Sequence, residues 1–301
     1  MILRALLALL LLAVTVTAQA AVLTEGPLSV TVPESVGEGQ IFLVEISLTN
    51  QVETVLVEWM GRATEVTMAK RGNAFRGELL LGAGLGTKHA PQTILVEALR
   101  PNRREMVLGK IAVTAVPFPE QRLSLPPSMV TPSKENLARI KREQEQVNAV
   151  LAVASPRKFW NFPFFRPVPG EVTSAFGLRR ILNGQPRSPH SGIDFDAMMA
   201  DPVLAANQGR VALTGDFYFN GKSVFLDHGQ GVYTMYFHLS RIDVTPGQHV
   251  ERGHLVGLAG STGRSTGPHL HFSMKILGQS VDPMPLFTAG GVFDRQAKGG
   301  S

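Results

Sequence analysis

The chain has 301 residues, 44% hydrophobic and only 18% charged, so it can bury a core in about two domains, and wholesale disorder is excluded. With no cysteine, a disulfide framework, a thiolate metal site, a cysteine nucleophile and a lipid-modified cysteine are all excluded, and any metal must sit on His, Asp or Glu. The net charge of +5 comes without an arginine–aromatic run and describes a basic soluble protein whose surface favours anionic polymers.

Residues 1–20 have the form of a secretory signal. Arg4 gives a basic start, Leu6 to Val16 an apolar run too short to span a bilayer comfortably, and Ala18-Gln19-Ala20 the small residues of a cleavage site. The expectation is cleavage near Ala20, a periplasmic or secreted home, and no membrane span in the mature protein.

Residues 21–117 alternate at period two. Phe42, Val44, Ile46 and Leu48 form one apolar face; Val55, Val57 and Trp59, then Ile94, Val96 and Ala98, then Ile111, Val113 and Ala115 repeat it. Turn signals at Gly37-Glu38-Gly39, Arg71-Gly72-Asn73 and Pro101-Asn102 separate the runs. About seven short strands at such intervals predict an immunoglobulin-like β-sandwich. No catalytic constellation lies here, and His89 stands alone in a loop. The roles open to this part are spacer, cell-wall docking module or lid.

Residues 118–160 are expected to be a proline-rich linker and an amphipathic helix. Pro117 to Pro127 hold four prolines. Thr131 before Pro132 fits an N-cap with proline in the first turn. Leu137, Ile140, Val147 and Val150/Leu151 then recur at helical spacing, opposite Lys141, Arg142, Glu143 and Glu145, to an end near Ser155-Pro156. This helix is expected to strap the two domains together.

From 161 to 287 short apolar runs are punctuated by Asn220-Gly221, Asp227-His228-Gly229 and Pro246-Gly247, and no stretch has the pattern of a long helix. A compact, mostly antiparallel β domain is predicted, with residues 288–301 a frayed tail. The fold class is mainly β: a sandwich, one connecting helix and a C-terminal antiparallel sheet.

Five histidines of this last domain bear on chemistry: His190, His228, His238, His269 and His271. On a strand, His269 and His271 project from one face with roots about 7 Å apart, so the two rings can share a metal, or one can bind it while the other faces substrate. His190 and Asp194 would lie about 13 Å apart on an extended strand, too far for one ion. A turn at Ser191-Gly192 removes that obstacle and predicts a bent loop entering a strand with Asp194 at its start. Three His and Asp ligands with an open fourth position match a catalytic zinc rather than a structural one. Zinc lowers the pKa of bound water to about 7 and polarises a carbonyl, which is the chemistry of amide hydrolysis.

Four motifs occur in one order: Ser174-Ala175-Phe176-Gly177-Leu178-Arg179; His190-Ser191-Gly192-Ile193-Asp194-Phe195; Tyr236-Phe237-His238-Leu239-Ser240; and Gly260 through Gly267-Pro268-His269-Leu270-His271-Phe272. Together they resemble the lysostaphin-type (LytM-like) zinc metallopeptidases of bacterial cell-wall metabolism, over about Pro167 to Leu286. The resemblance implies one zinc ion per chain on His190, Asp194 and His271, with His238 and His269 as non-ligand catalytic histidines. It implies that zinc holds the water and the scissile carbonyl while the two histidines assist deprotonation and stabilise the oxyanion. The implied substrate and partner is peptidoglycan, with no nucleic acid partner. One departure is Ser273, where the family often carries an acidic residue; an outward-facing strand position would tolerate it. Arg187, Tyr236 and Thr262 are further candidates for substrate contact, Arg187 by pairing with a substrate carboxylate. The Gly260–Gly267 loop lacks the lysine and helix of a nucleotide loop and is expected to approach the site closely. The competing reading is a non-catalytic cell-wall-binding regulator of other hydrolases; a protease acting on proteins is a third.

Overall fold

A computed structural model describes residues 20–123, 132–186 and 188–288. The expected signal (apart from its last residue), the tail beyond Thr288, Thr131 and Arg187 lie outside the described residues.

The first ten strands, rather than about seven, form two five-stranded sheets. One has the order Ala20–Glu25, Leu28–Pro33, Ile41–Leu48, Ala74–Gly82, Ala69–Arg71; the other runs Ser35–Gly37, Arg103–Thr114, Pro91–Arg100, Thr54–Trp59, Arg62–Val66. The alternating residues of the sequence face inward from both: Phe42, Val44, Ile46, Val55, Val57, Ile94, Val96, Ile111 and Val113 share one core. Trp59 ties the two layers. Its ring meets Phe42 edge-on at 5.3 Å, and its Nε1–H donates to the Gly82 carbonyl at 2.9 Å. His89 is not alone: it lies 2.8 Å from the Glu38 carboxylate.

Two strands of this sandwich are apolar on both faces. Ile41, Leu43 and Leu80 point away from the sandwich core and belong to the core of the following unit, beside Ile193, Phe272, Met274 and Val281. Gly82 lets the layers meet, since a Cβ there would collide with the Val281 side chain. Backbone bonds add to the seam: Asp282 N–H donates to Gly39 O at 2.8 Å and Leu85 N–H to Ser280 O at 3.2 Å. The sandwich is therefore packed firmly against the second unit. Within the stretch expected as a linker, Glu120–Leu123 forms a strand parallel to Arg179–Leu182. Phe118 packs on Phe176.

The helix, α1, spans Lys134–Leu151 and is capped by Ser133, whose side chain accepts from Asn136 N–H. The cap is thus two residues later than expected, and the helix ends at Leu151 rather than near Ser155. Leu151, with Val147 and Val150, packs on Leu213, Phe225, Met235 and Phe237 of the large sheet, while Leu137 is left exposed in the first turn. Tyr233 donates to the Val150 carbonyl, and Arg62 of the sandwich donates to the Leu151 carbonyl at 3.1 Å. The helix touches both units, as a strap should.

The large sheet has eight strands. Its path is Val172–Ser174, Gly192–Asp196, His269–Ile276, Val232–Leu239, Gly221–Asp227, Gly209–Phe217, His249–Val250, with Gln279–Val281 also paired to His269–Ile276. Every pairing in it is antiparallel. One face carries Leu270, Phe272, Met274 and Ile276 into the core. The opposite face carries His269, His271, Ser273 and Lys275, because side chains alternate along a strand.

Candidate metal centre

Strand register brings the first two groups together. Gly192–Asp196 and His269–Ile276 pair so that Asp194 lies directly opposite His271 and Asp196 opposite His269. Directly opposed residues share a face with roots about 5 Å apart. His190 precedes the strand, and its loop is pinned back: His190 N–H donates to Leu178 O at 2.9 Å, and Gly177 N–H donates to His190 O at 2.8 Å. The ring therefore reaches Asp194 despite the spacing. His190 Nε2 lies 3.0 Å from Asp194 Oδ1 and 3.0 Å from His271 Nδ1, and His271 Nδ1 lies 2.7 Å from Asp194 Oδ1. The predicted bend is present, although the strand begins two residues before Asp194, at Gly192.

Gly192 serves closeness rather than flexibility. A Cβ there would collide with the Phe272 carbonyl and Ser273 Oγ and stand 2.8 Å from His271 Nε2. Gly192→Ala is expected to tilt the His271 ring and weaken zinc binding at least tenfold, the range seen when ligand orientation is disturbed. Zinc titration of the variant checks this; an unchanged dissociation constant would show that the strand gives way without moving the ring.

Hydrogen bonding sets which nitrogens face the site. His190 Nδ1 is 2.9 Å from the Ala175 carbonyl, which can only accept, so it carries the proton and Nε2 presents a lone pair. The same holds for His238, whose Nδ1–H donates to Thr262 O at 2.8 Å, and for His269, whose Nδ1–H donates to Gly267 O at 2.9 Å. His271 is reversed: Nε2 faces Ser273 Oγ at 2.7 Å and Nδ1 faces the site. Burial alone would raise the Asp194 carboxyl, but the adjoining His190 and His271 rings outweigh it and hold the group well below the usual carboxylate range. Three acceptor atoms thus converge, and with neutral rings at most one proton, on His271 Nδ1, is available to them. A single cation satisfies all three. Tetrahedral zinc bonds of about 2.0–2.1 Å would set ligand atoms about 3.3 Å apart, close to the observed spacing. This group of three fits a metal ion.

His238 and His269 stand beside the triangle. Their rings are 4.8 Å apart, and His238 is 6.1 Å from His271. Alternation would turn His238 to the opposite face from its neighbour Phe237, which stacks on His271 at 5.4 Å. A positive φ of 63° at His238 reorients it to the site side. Burial, opposed by the Thr262 hydrogen bond, pushes its imidazole down to about 4, so it is neutral at physiological pH.

The other candidates fall elsewhere. Tyr236 is wholly buried; its hydroxyl accepts from Ala206 N–H at 2.7 Å and lies 3.0 Å from Thr234 Oγ1, so it belongs to the core and not to a substrate wall. Thr262 has its Oγ1 engaged by Leu239 O and Lys222 N–H and acts by its carbonyl, which fixes His238. Ser273 is not outward-facing: it is buried beneath His271 and orients that ring. Sequence reasoning missed Arg180, which donates to Asp194 Oδ2 at 3.3 Å and so leaves Oδ1 to face the histidines. Its only signal was a place one residue beyond the Ser174–Arg179 motif.

His228 is separate from the site. It is fully buried, with Nδ1–H donating to Gln208 O at 2.7 Å and Nε2 2.7 Å from Thr234 Oγ1, which continues to Tyr236. This relay needs a neutral ring, and burial pushes the imidazole down to about 4. The folded pKa is below the unfolded value of about 6.5, so the stabilisation is complete above that pH and is lost as pH falls toward 4, by about 3 kcal/mol. Urea unfolding at pH 7 and 4.5 should show this fall, and His228→Gln should lack it. An equal fall in both proteins would place the acid sensitivity elsewhere.

Comparison with known proteins adds a family. Residues 188–283 match the family model described as Peptidase family M23. Peptidoglycan DD-endopeptidase ShyA of Vibrio cholerae is 40% identical over 114 residues, 38% of this chain and 26% of that protein. DD-carboxypeptidase/endopeptidase Mpg of Neisseria meningitidis is 40% identical over 113 residues, again 38% and 26%. The chain thus matches about a quarter of the length of these curated relatives. A crystal structure from Pseudomonas aeruginosa, assigned as a peptidase M23, superposes with a TM-score of 0.64 at 31% identity over 83% of this chain and 94% of that one. Because that likeness runs through the sandwich and the large sheet alike, and not through the histidine cluster alone, the protein belongs to peptidase family M23.

Proposed function

We propose that this protein is an exported zinc-dependent endopeptidase that hydrolyses peptide cross-links or stem peptides of bacterial peptidoglycan. The observation that carries the reading is the convergence of His190 Nε2, Asp194 Oδ1 and His271 Nδ1, with two further imidazoles, His238 and His269, at its edge. His190, Asp194 and His271 would hold the ion. When bound, zinc supplies Lewis-acid polarisation of the scissile carbonyl and a lowered pKa for water. His238 and His269, locked with Nδ1–H on backbone carbonyls, each offer an Nε2 that can take the proton of the attacking water. Once protonated, the same nitrogen can donate to the oxyanion or to the leaving amine. The named activities of the Vibrio and Neisseria relatives support peptidoglycan as substrate.

The division we infer is a signal over 1–20, an immunoglobulin-like β-sandwich over 21–117, a linker and helix over 118–160, a peptidase domain over 161–287 and a tail over 288–301. A periplasmic or secreted location follows from that signal and from a peptidoglycan substrate. Among the described residues no helix is long and apolar enough to cross a membrane. The test is digestion of purified peptidoglycan by the zinc-loaded chain, with mass spectrometry of the released muropeptides. Cleavage of cross-links that stops on chelation is expected. Intact cross-links with zinc bound would leave the regulator reading standing, and fragmentation of a protein substrate alone would redirect it to proteolysis.

A further inference from the structure

A cleft of about 940 Å³ opens beside the metal centre, between α1, the sandwich and the site face of the large sheet. Phe225, Met235 and Phe237 form its floor, and Ser191 and Ser273 join it to the site. Its far end is cationic. Lys275 lies four residues beyond His271 on the same strand face, and Arg62 reaches in from the sandwich. Both cations meet at Gly278: Lys275 Nζ donates to its carbonyl at 3.2 Å and to Ser280 Oγ at 3.0 Å, and the Arg62 guanidinium packs over it. Among the described residues, no carboxylate lies within ion-pair distance of either. The carboxylate on the cleft wall, Glu145, is exposed and lies 4.0 Å from Lys141. Burial and the Arg62 charge both push the Lys275 ammonium down, as expected of a cation lacking a counter-ion.

We propose that this cleft is a subsite for a peptide carboxylate, held by Lys275 and Arg62 while the rest of the peptide runs over Phe237 to the metal centre. The assignment rests on the reading that a peptidoglycan peptide is the substrate. The span sets a ruler: four strand residues separate Lys275 from His271 by about 13 Å, so the bound carboxylate sits three to four extended residues from the bond cleaved. The sandwich and the large sheet build the subsite jointly with α1, which gives the sandwich a part in substrate choice. A charge-assisted bond to the carboxylate, absent in a carboxamide, corresponds to about tenfold in affinity.

The experiment is calorimetric binding to the full metal-free chain of a disaccharide tetrapeptide from peptidoglycan and of its C-terminally amidated form. The carboxylate form should bind about tenfold tighter. That preference should vanish in Lys275→Gln and in Arg62→Gln and persist in Lys275→Arg. Thermal unfolding identifies a misfolded variant, and Arg62, being exposed on the sandwich, supplies the second charge removal if Lys275→Gln does not fold. Equal affinities in the wild type, or a preference surviving both charge removals, overturns the subsite. The two readings fail separately: cleavage of cross-links without the preference removes only the subsite, whereas the preference without cleavage removes only the endopeptidase.

Discussion

His271→Ala is expected to abolish zinc binding at micromolar zinc and to reduce peptidoglycan cleavage below detection. Three acceptor atoms converge at 2.7–3.0 Å from one another, and this variant removes the one nearest Asp194. Structural zinc sites bind with apparent free energies of about 10–16 kcal/mol over four ligands, so one ligand corresponds to about 3–4 kcal/mol, or about 10²–10³ in affinity. The remaining pair has a second difficulty. Asp194 would then face His190 alone, and Arg180 on its other oxygen would compete for the charge. Equilibrium dialysis with metal analysis gives the affinity, and muropeptide release gives the activity. Retention of stoichiometric zinc by His271→Ala at nanomolar free metal would remove His271 from the ligand set.

His238→Ala should behave differently, keeping zinc within about threefold while kcat falls about 10²–10⁴-fold, the range for loss of a positioned acid or base. Its Nε2 is not among the three converging atoms, and its ring centre is 6.1 Å from that of His271. The backbone complicates the variant, because alanine at a φ of 63° loses about 1 kcal/mol of stability. His238→Asn controls for this, since asparagine tolerates the left-handed region and also lacks the imidazole. Both variants should lose activity equally, with the asparagine form the more stable. Equal loss of zinc in His238→Ala and His271→Ala would overturn the division between ligand and catalytic histidine.

The contrast between these two histidines shows how far the chain could be read in advance. Asp194 and the His269/His271 pair are identifiable as candidates because polar, metal-binding side chains stand inside otherwise apolar strands, His190 because it lies four residues before Asp194, and the resemblance then implies which are ligands. Tyr236 and Thr262 misled for a shared reason. Each lies within or beside a motif, but a side chain's direction depends on local parity and on bonds made at long range. Tyr236 sits on the core parity, with its hydroxyl held by Ala206. Thr262 turns its hydroxyl to Leu239 and Lys222 and offers only its carbonyl to His238. Arg180 went unnoticed because an arginine in a turn-rich segment carries no signal until its partner, fourteen residues on, is folded against it.

Parity also explains what was missed in the sandwich. The runs Ile41 to Val44 and Leu79 to Leu81 are apolar at successive positions, the pattern of strands covered on both faces. Period-two alternation marks only one buried face, so the packing of Leu43 and Leu80 into the second core does not follow from it. Likewise Pro117 to Pro127 has the composition of a linker, yet Glu120–Leu123 finds a strand partner in Arg179–Leu182.

By itself the sequence determined the fold class, the strand-rich halves joined by one helix, and a set of candidate metal-binding side chains, because periodicity, turn residues and side-chain chemistry are local properties. The tertiary structure alone decided which nitrogen of His190, His238 and His269 faces the site, through the carbonyls of Ala175, Thr262 and Gly267, and the alignment of Asp194 opposite His271. It also decided the cleft in which Arg62 and Lys275, 213 positions apart in the chain, face one space. Such features depend on register and on layer packing, which link residues distant in the chain and leave no mark in local composition.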